Sequence, residues 1–474
     1  MSKTLESQVN RSYSSFLEHK AQLGIDSGFD PLWMPDFLYP FQRHLVEWAL
    51  RKGRSAIFAD CGLGKTPMQL VWAQNIVEKT CKPVLVLTPL SVGPQTVREG
   101  EKFGIECKQS RDGKIAAPIT VSNYQQLHKF NWQHFSGCVC DESSILKNFD
   151  GQLKGQITDF MRKLPYRLLC TATAAPNDYI ELGTSAEALG VMGYIDMLKT
   201  FFKANDNSYA QGGSGSGTAR RFSKQPFGGK FRFRGHAESD FWRWVCSWAR
   251  AIRKPSDIGY PNDGFELPPL NMTELVVKAR LPREDLLFDL PAITLAEQRS
   301  ERRRTINERC ERAAELVVCT NKPSVAWCYL NEEGHMLERM IPGAVEVDGN
   351  DSDEFKEETF EAFVKGQIRV LVSKPIIAGY GLNWQHCAHQ TFFPSHSFEQ
   401  WYQAIRRCWR FGQRHPVRID MICSEGEAGV LSNLNRKSAA ADQMFARLVE
   451  LIGNELRISQ VNQYTKQMEE PCWL

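Results

Sequence analysis

The residues of this chain best placed to do chemistry lie in the stretch Ala59-Asp-Cys-Gly-Leu-Gly-Lys-Thr66. An apolar run, Ser55–Ala59, leads into it, and apolar residues at helical spacing follow it. A glycine-rich turn between a strand and a helix directs its amide groups and the helix N-terminus toward phosphate. The ammonium of Lys65 would neutralise phosphate charge, and the Thr66 hydroxyl would hold Mg²⁺. The predicted phosphate-binding residues are Gly62, Gly64, Lys65 and Thr66.

A second reactive group is the acidic pair in Asp141-Glu-Ser-Ser144, which follows the apolar strand Cys138–Asp141. The carboxyl end of a buried parallel strand faces the crevice where α/β sheets bind ligands. There Asp141 is expected to bind Mg²⁺, and Glu142 to orient and deprotonate an attacking water. Asp and Ser are also common helix N-caps. The phosphate loop upstream favours the catalytic interpretation.

A third group is the arginine pair in Gln403-Ala-Ile-Arg-Arg-Cys-Trp-Arg-Phe-Gly-Gln413. Arg407 and Arg410 would share one face if the stretch is helical. An arginine supplied across a cleft stabilises charge on a transferring phosphoryl group and can contribute about 10³–10⁵ in rate. A solvated basic face is the alternative. We expect both arginines to complete the phosphate site when two domains close.

Two series of apolar strands, each alternating with helical segments, must position these groups. Such alternation predicts an α/β fold with two parallel sheets. The strands of the first series are 55–59, 84–88, 119–122, 138–141 and 168–171, and those of the second are 324–328, 344–347, 368–373, 390–393 and 417–422. The amphipathic pattern in residues 1–30 predicts a helix before the first series.

The segment between the two series has a different composition. It contains the Gly/Ser stretch 212–217 and the basic-aromatic run Lys230-Phe-Arg-Phe-Arg234. Because this run alternates like a strand, Lys230, Arg232 and Arg234 would form either an edge strand protected by charge or a contact with nucleic-acid backbone. The helical spacing of Phe241, Trp244, Val245 and Trp248 predicts core packing.

Composition limits the class of protein. The chain has 474 residues, a net charge of +3, 42% hydrophobic and 24% charged residues, ordinary values for a globular protein of several domains. No apolar run reaches the length that spans a bilayer, and the scattered cysteines favour a reducing, cytoplasmic location. The group His386, Cys387, His389 and His396 lacks the spacing of a zinc site.

Taken together and in order, the motifs resemble those of superfamily 2 helicases, specifically the Snf-type ATP-dependent DNA translocases in their bacterial or phage-borne form. Leu38–Gln42 resembles the adenine-reading Q motif, and residues 59–66 resemble motif I. Thr88-Pro89 resembles motif Ia, and residues 141–148 resemble the DEAH-x-LKN form of motif II. Thr171-Ala-Thr173 resembles motif III, 378–383 motif V and 403–413 motif VI. The Ser-Ser of motif II and the Cys-Trp of motif VI depart from the family pattern.

The resemblance implies two RecA-like lobes that close on ATP and Mg²⁺ and move along DNA, with an accessory segment inserted. It assigns adenine recognition to Gln42, nucleotide binding to Gly381, and the nucleic-acid track to Thr88, Pro89 and Ser122. The implied divisions are 1–200 for lobe 1, 201–264 for the insertion, 265–455 for lobe 2 and 456–474 for a tail. The protein would act as a monomer. An RNA-dependent ATPase, or an ATP-gated DNA-binding subunit of a partner nuclease or methyltransferase, are the alternatives.

Overall fold

The structure is a computed structural model that describes residues 26–147, 151–175, 178–204, 231–235, 237–280, 295–378 and 383–468, the last seventeen of them by backbone only. The chain divides into two compact units. One comprises Met1–Pro261 together with Ala441–Leu474, and the other Asn262–Ala440. The expected helix in residues 1–30 and the Gly/Ser stretch 212–217 fall wholly or mostly outside the described residues.

The first unit is built on a seven-stranded parallel sheet, in the order β3-β4-β2-β5-β6-β1-β9. Its central strands are buried along their whole length because helices cover the sheet. The strands are β1 (Arg54–Ala59), β2 (Val84–Thr88), β3 (Cys107–Gln109), β4 (Ile119–Asn123), β5 (Gly137–Asp141), β6 (Tyr166–Cys170) and β9 (Ala249–Ile252). The helices are α1 (Pro40–Lys52), α2 (Lys65–Thr80), α3 (Gly93–Phe103), α4 (Gln152–Arg162), α5 (Leu182–Leu189), α6 (Tyr194–Phe201) and α7 (Ala237–Trp248).

Part of the segment 201–264, expected to be an accessory insertion, belongs to this sheet. Strand β9 pairs in parallel with β1, in register from Ala56–Ala249 to Ala59–Ile252. Helix α7 directly precedes β9 and buries the predicted aromatic stripe. Trp248 packs edge-on against Phe58 of β1, with the ring centroids 6.1 Å apart. The sequence pattern did not reveal β9 because four residues, one of them arginine, make a weak strand signal.

A short antiparallel ribbon lies between α6 and α7 in the chain. It pairs β7 (Phe202–Ala204) with β8 (Phe231–Phe233), which confirms the predicted strand character of the basic-aromatic run for residues 231–233. Phe202 and Phe233 stack with ring centroids 4.6 Å apart and also pack against Phe241 of α7. The aromatic side of the ribbon is therefore anchored in the core.

The second unit is built on a six-stranded parallel sheet, in the order β10-β15-β14-β11-β13-β12. The predicted α/β class with two parallel sheets is thus confirmed. Its strands are β10 (Leu270–Val277), β11 (Ser324–Trp327), β12 (Ala344–Val347), β13 (Val370–Ser373), β14 (His389–Phe392) and β15 (Val417–Ser424). Its helices are α8 (Leu295–Arg304), α9 (Ile306–Thr320), α10 (Asn331–Met340), α11 (Asp353–Val364), α12 (Pro375–Ala378) and α13 (Phe398–Ile405). Helix α14 (Ala428–Met468) starts in this unit and continues into residues of the first.

A buried ion network organises the carboxyl edge of the second sheet. The Arg309 guanidinium of α9 is fully buried and lies 2.6 Å from Glu333 and 3.7 Å from Glu427. Glu333 also accepts the main-chain N–H groups of Tyr329 and Leu330, which follow β11. The buried Arg302 lies 2.9 Å from Glu427, so two cations compensate the two buried carboxylates.

The histidines of the 386–396 group have partners within this unit. His389 lies 3.0 Å from both the Ser324 hydroxyl and the Asp420 carboxylate, and His396 pairs with Gln298 at 2.5 Å. Over the described ranges, no helix is long and apolar enough to cross a membrane.

Replacing Arg309 with Met should lower the free energy of unfolding by about 3–5 kcal/mol, because Glu333 would remain buried without its cation while Glu427 kept only Arg302. The matched control is Arg312→Met, one turn later on α9, where the 3.0 Å pair with Glu315 is exposed. That change should cost less than about 0.5 kcal/mol. Urea denaturation of the full chain measures both, and equal losses would contradict the assignment of Arg309.

Candidate active site

The predicted phosphate loop connects β1 to α2. Gly62 and Gly64 have φ angles of 91° and 75°, a region that residues with a side chain rarely adopt. A Cβ on Gly64 would also come within 2.3 Å of Gln42 Nε2. Helix α2 then begins at Lys65 without a side-chain cap hydrogen bond. Its first N–H groups suit an anion, as the sequence predicts for such a turn.

Lys65 carries the positive charge of the loop. Its Nζ donates to the Ala59 carbonyl at 3.0 Å, so the side chain folds back over the loop. Burial alone would lower the pKa of Lys65, but nearby negative groups outweigh it and hold the pKa above its ordinary value. These groups are the Cys61 thiol in its ionised form and the carboxylates of Glu142, Asp141 and Asp60. The ammonium therefore stays charged and faces acids from two loops.

Strand β9 helps to fix the start of the loop. The Asp60 amide donates to the Ile252 carbonyl at 2.9 Å, and the Asp60 carboxylate accepts the Cys61 amide at 2.7 Å. The first turn of the loop is thus fastened to a strand from the segment expected to be accessory.

Asp141, at the end of β5, is hydrogen-bonded to Gln69 of α2, the helix that follows the phosphate loop. The Gln69 Nε2 donates to Asp141 Oδ1 at 2.7 Å, and both side chains are buried. Burial, and then the charge of Glu142, raise the pKa of Asp141 to about 6, although the Gln69 hydrogen bond and Lys65 act in the opposite direction. The site thus holds more negative charge than its own cation balances.

Glu142 sits at a backbone position that residues other than glycine seldom occupy. Its φ is 53°, so the strand cannot continue beyond Asp141. Its carboxylate accepts the Thr171 hydroxyl at 3.2 Å, and that hydroxyl also accepts the Thr173 amide at 3.0 Å. The chain after β6 therefore orients the predicted base.

Gln42 lies beside the loop, as the predicted adenine reader would. Its amide Nε2 donates to the Leu63 carbonyl at 2.9 Å, and its Oε1 accepts the Tyr39 amide at 3.0 Å. Gln42 thus ties the loop to the start of α1. Adenine recognition stays a prediction, and it would have to use the remaining N–H of this amide or rearrange these bonds.

The residues predicted to contact nucleic acid end two neighbouring strands. Thr88 of β2 pairs in register with Asn123 of β4. The Thr88 hydroxyl is buried and has no hydrogen-bond partner among the described residues. The Ser122 hydroxyl donates to the Ser110 carbonyl at 2.7 Å, so it is already engaged within the fold. Pro89, which follows Thr88, is partly exposed.

The arginine pair of the second unit does not share a helix face, which corrects the premise drawn from its spacing. Helix α13 ends at Ile405, and both Arg407 and Arg410 lie in the turns that follow. Arg407 is buried, and its guanidinium donates twice to Gln403 at 2.9 Å. Arg410 is only partly buried.

Residues outside the helix hold its end and the turns that follow. The Gln390 side chain of β14 donates to the carbonyl of Ile405, the last helical residue, at 3.2 Å. Beyond the helix, the Trp384 amide donates to the Arg407 carbonyl, and the Gln413 side chain donates to the Cys408 carbonyl at 3.2 Å. Gly412, with a φ of 89°, makes the turn possible. Two other predicted residues, Lys230 and Gly381, lie outside the described residues.

The donor set fits a nucleotide with a hard divalent cation. Buried carboxylates with surplus negative charge, a nearby hydroxyl at Thr66 and an uncapped helix N-terminus are the groups that Mg²⁺ and phosphate require. The Gln69 Oε1, buried without a hydrogen-bond partner in the described part of the chain, also points to a missing polar group. The sequence analysis missed Gln69, although its place four residues after Lys65 on α2 puts it on the same face.

No protein-family model and no curated protein matches this chain. Among solved structures, it is similar to the Sulfolobus solfataricus SWI2/SNF2 ATPase core in complex with dsDNA. The two are 17% identical, the match covers 90% of this chain and 98% of that one, and the TM-score is 0.41. A likeness of this size assigns neither an activity nor a ligand to this chain.

Replacing Asp141 with Asn should stabilise the protein without nucleotide at pH 7. Folding raises the pKa of Asp141 from 3.8 to about 6, so the folded protein binds a proton at this carboxyl more tightly than the unfolded chain does. The free energy of unfolding therefore falls as the pH rises through this window. The gain should reach up to about 3 kcal/mol above pH 6 and vanish below pH 4.

Urea denaturation of wild type and variant between pH 4 and 8 measures this difference. Asp159→Asn, at an exposed position on α4, is the control and should show no such trend. If Asp141→Asn is no more stable than wild type at pH 7, folding does not raise the pKa of Asp141.

Proposed function

We propose that the protein is an ATPase that uses hydrolysis to move on DNA, of the Snf-type helicase kind that its motifs resemble. The observation that carries the proposal is the direct link between the two motifs of the first unit. Gln69, on the helix that the phosphate loop begins, holds Asp141 at 2.7 Å, and the charges of Lys65 and the acidic pair influence one another. Phosphate binding and cation binding thus converge on one place.

In this proposal each residue has a defined task. The loop amides and Lys65 bind the phosphates, while Thr66 and Asp141 would hold Mg²⁺, which supplies charge neutralisation at the phosphates. Glu142 accepts the proton of the attacking water. The Thr171 hydroxyl keeps the Glu142 carboxylate in one orientation, which favours proton transfer at a fixed position.

The arginines of the second unit are proposed to reach the phosphates only when the units close on ATP. Arg410 is the better placed of the two for this task, because Arg407 is buried and engaged with Gln403. In this proposal Arg407 shapes the turn that presents Arg410. Movement on DNA would follow from repeated closure and opening.

The ribbon of β7 and β8 is proposed as a contact for DNA backbone. Lys203 and Arg232 lie directly opposite each other in register, on the side away from the stacked Phe202 and Phe233. Like charges across a strand pair repel, so an anion on that face would stabilise the ribbon. Arg234 has a different role, since its Nε donates to the Phe202 carbonyl at 2.6 Å and fastens the ribbon.

The experiment that tests the proposed function is ATP turnover by purified protein with and without duplex DNA, single-stranded DNA and RNA. We expect duplex DNA to give the largest stimulation. Lys65→Ala should abolish turnover because the phosphates lose their main counter-charge. Glu142→Gln should bind ATP normally and turn it over about 10²–10⁴-fold more slowly, because an amide cannot take the proton.

Glu142→Gln retains an oxygen that can accept the Thr171 hydroxyl, so the local structure should persist. Near-normal turnover in this variant would reject Glu142 as the base. Stimulation by RNA alone would reject DNA as the track, and the absence of any turnover in wild type would reject the ATPase proposal itself.

The ribbon is tested by the salt dependence of duplex binding. Replacing Lys203 and Arg232 with Ser should reduce the slope of log affinity against log salt by roughly one to two, since each lost phosphate contact is worth about 0.9. The control replaces Lys79 and Lys163, exposed residues near the amino edge of the first sheet. If both double variants keep the wild-type slope, the ribbon is only scaffolding.

A further inference from the structure

Tyr124 joins the acidic pair to the strand end proposed to contact nucleic acid. It is the first residue of the 3₁₀ turn Tyr124–Lys129, directly after β4, and its side chain is buried. Its hydroxyl donates to the main-chain carbonyl of Asp141, two strands away in the sheet order β4-β2-β5. Burial, followed by the charges of nearby groups, holds the pKa of Tyr124 well above its ordinary value, so the phenol remains a donor.

The carbonyl that Tyr124 holds lies at a sensitive point. It belongs to the peptide between Asp141 and Glu142, where the backbone enters the φ of 53°. Rotation of that peptide would redirect both carboxylates, because each side chain is attached next to it. Gln69 and Thr171 hold the carboxylates themselves, whereas Tyr124 holds the carbonyl of the peptide between them.

The N-terminal end of this turn, next to Tyr124, lies at the proposed nucleic-acid face. Asn123 caps the turn by accepting the Gln126 amide at 3.1 Å, and it is the register partner of Thr88. The buried Thr88 hydroxyl has no hydrogen-bond partner in the described residues. A phosphate contact at the ends of β2 and β4 would therefore press on the turn that carries Tyr124.

We infer that Tyr124 is a positioning residue through which nucleic acid bound at the ends of β2 and β4 acts on the Asp141–Glu142 pair. The inference rests on the proposed function. It adds a specific route by which the track controls hydrolysis: the turn moves, the phenol hydroxyl shifts the Asp141 carbonyl, and the Glu142 carboxylate reaches its working orientation. Tyr124 itself touches neither ATP nor the attacking water.

The test is Tyr124→Phe, which removes the hydroxyl and keeps the ring that fills the core. The readout is the stimulation factor, the ratio of kcat with saturating duplex DNA to kcat without it. We expect this factor to fall about three- to tenfold, the effect of one neutral hydrogen bond, with the KM for ATP within about twofold of wild type. A purely structural role would lower both rates together and leave the ratio unchanged.

The matched control is Tyr166→Phe, which removes a phenol hydroxyl at the amino end of β6, on the opposite edge of the same sheet. An unchanged factor in Tyr124→Phe, or an equal loss in Tyr166→Phe, would overturn the inference. If Tyr124→Phe is poorly folded by circular dichroism, Asn123→Ala replaces it. That variant loosens the turn and should lower the factor too, so a wild-type factor there also overturns the inference.

The wild-type measurement separates the two levels of the proposal. Wild-type turnover that duplex DNA does not stimulate would reject the proposed function, and the inference would fall with it. Wild-type turnover that is stimulated, together with a full factor in Tyr124→Phe, would reject the inference alone.

Discussion

The first unit depends on the balance between one ammonium and several carboxylates at the carboxyl edge of its sheet. Lys65 faces Asp141 and Glu142, and burial raises the pKa of Asp141 to about 6 despite that cation. Such a cluster is costly to fold, since each buried charge loses water. It persists because the backbone around it is fixed from several directions, by Gln69, Thr171, Tyr124 and β9. A cation and phosphates would relieve the strain that the fold maintains.

The second unit also buries charged groups, but there the cations and carboxylates compensate one another. The Arg309 guanidinium lies 2.6 Å from Glu333 and 3.7 Å from Glu427, so its positive charge is compensated within the unit. Compensated charges hold the carboxyl edge of one sheet together, while the carboxylates at the corresponding edge of the other exceed the charge of Lys65, as the proposed binding of a cation requires.

Local sequence predicted the parts of the structure that local physics decides. Short, mainly apolar runs identified β2 and β12 to the residue, and the glycine pattern identified the loop before Lys65. It could not find β9, whose pairing with β1 is long-range, nor Tyr124, whose role depends on a contact across two strands. The spacing of Arg407 and Arg410 misled for a related reason, since the helix ends at Ile405, whose carbonyl accepts the Gln390 side chain from another strand.

The discontinuity of the first unit has a consequence for biosynthesis. Strand β1 emerges early, yet its neighbour β9 follows almost two hundred residues later, and Cys246 and Arg253 in that region pack against α14 residues Leu448 and Asp442. The second unit, Asn262–Ala440, is made in between. A growing chain can therefore complete the later unit before the earlier one. The first unit would be completed last, when α14 residues Asp442 and Leu448 pack against Arg253 and Cys246.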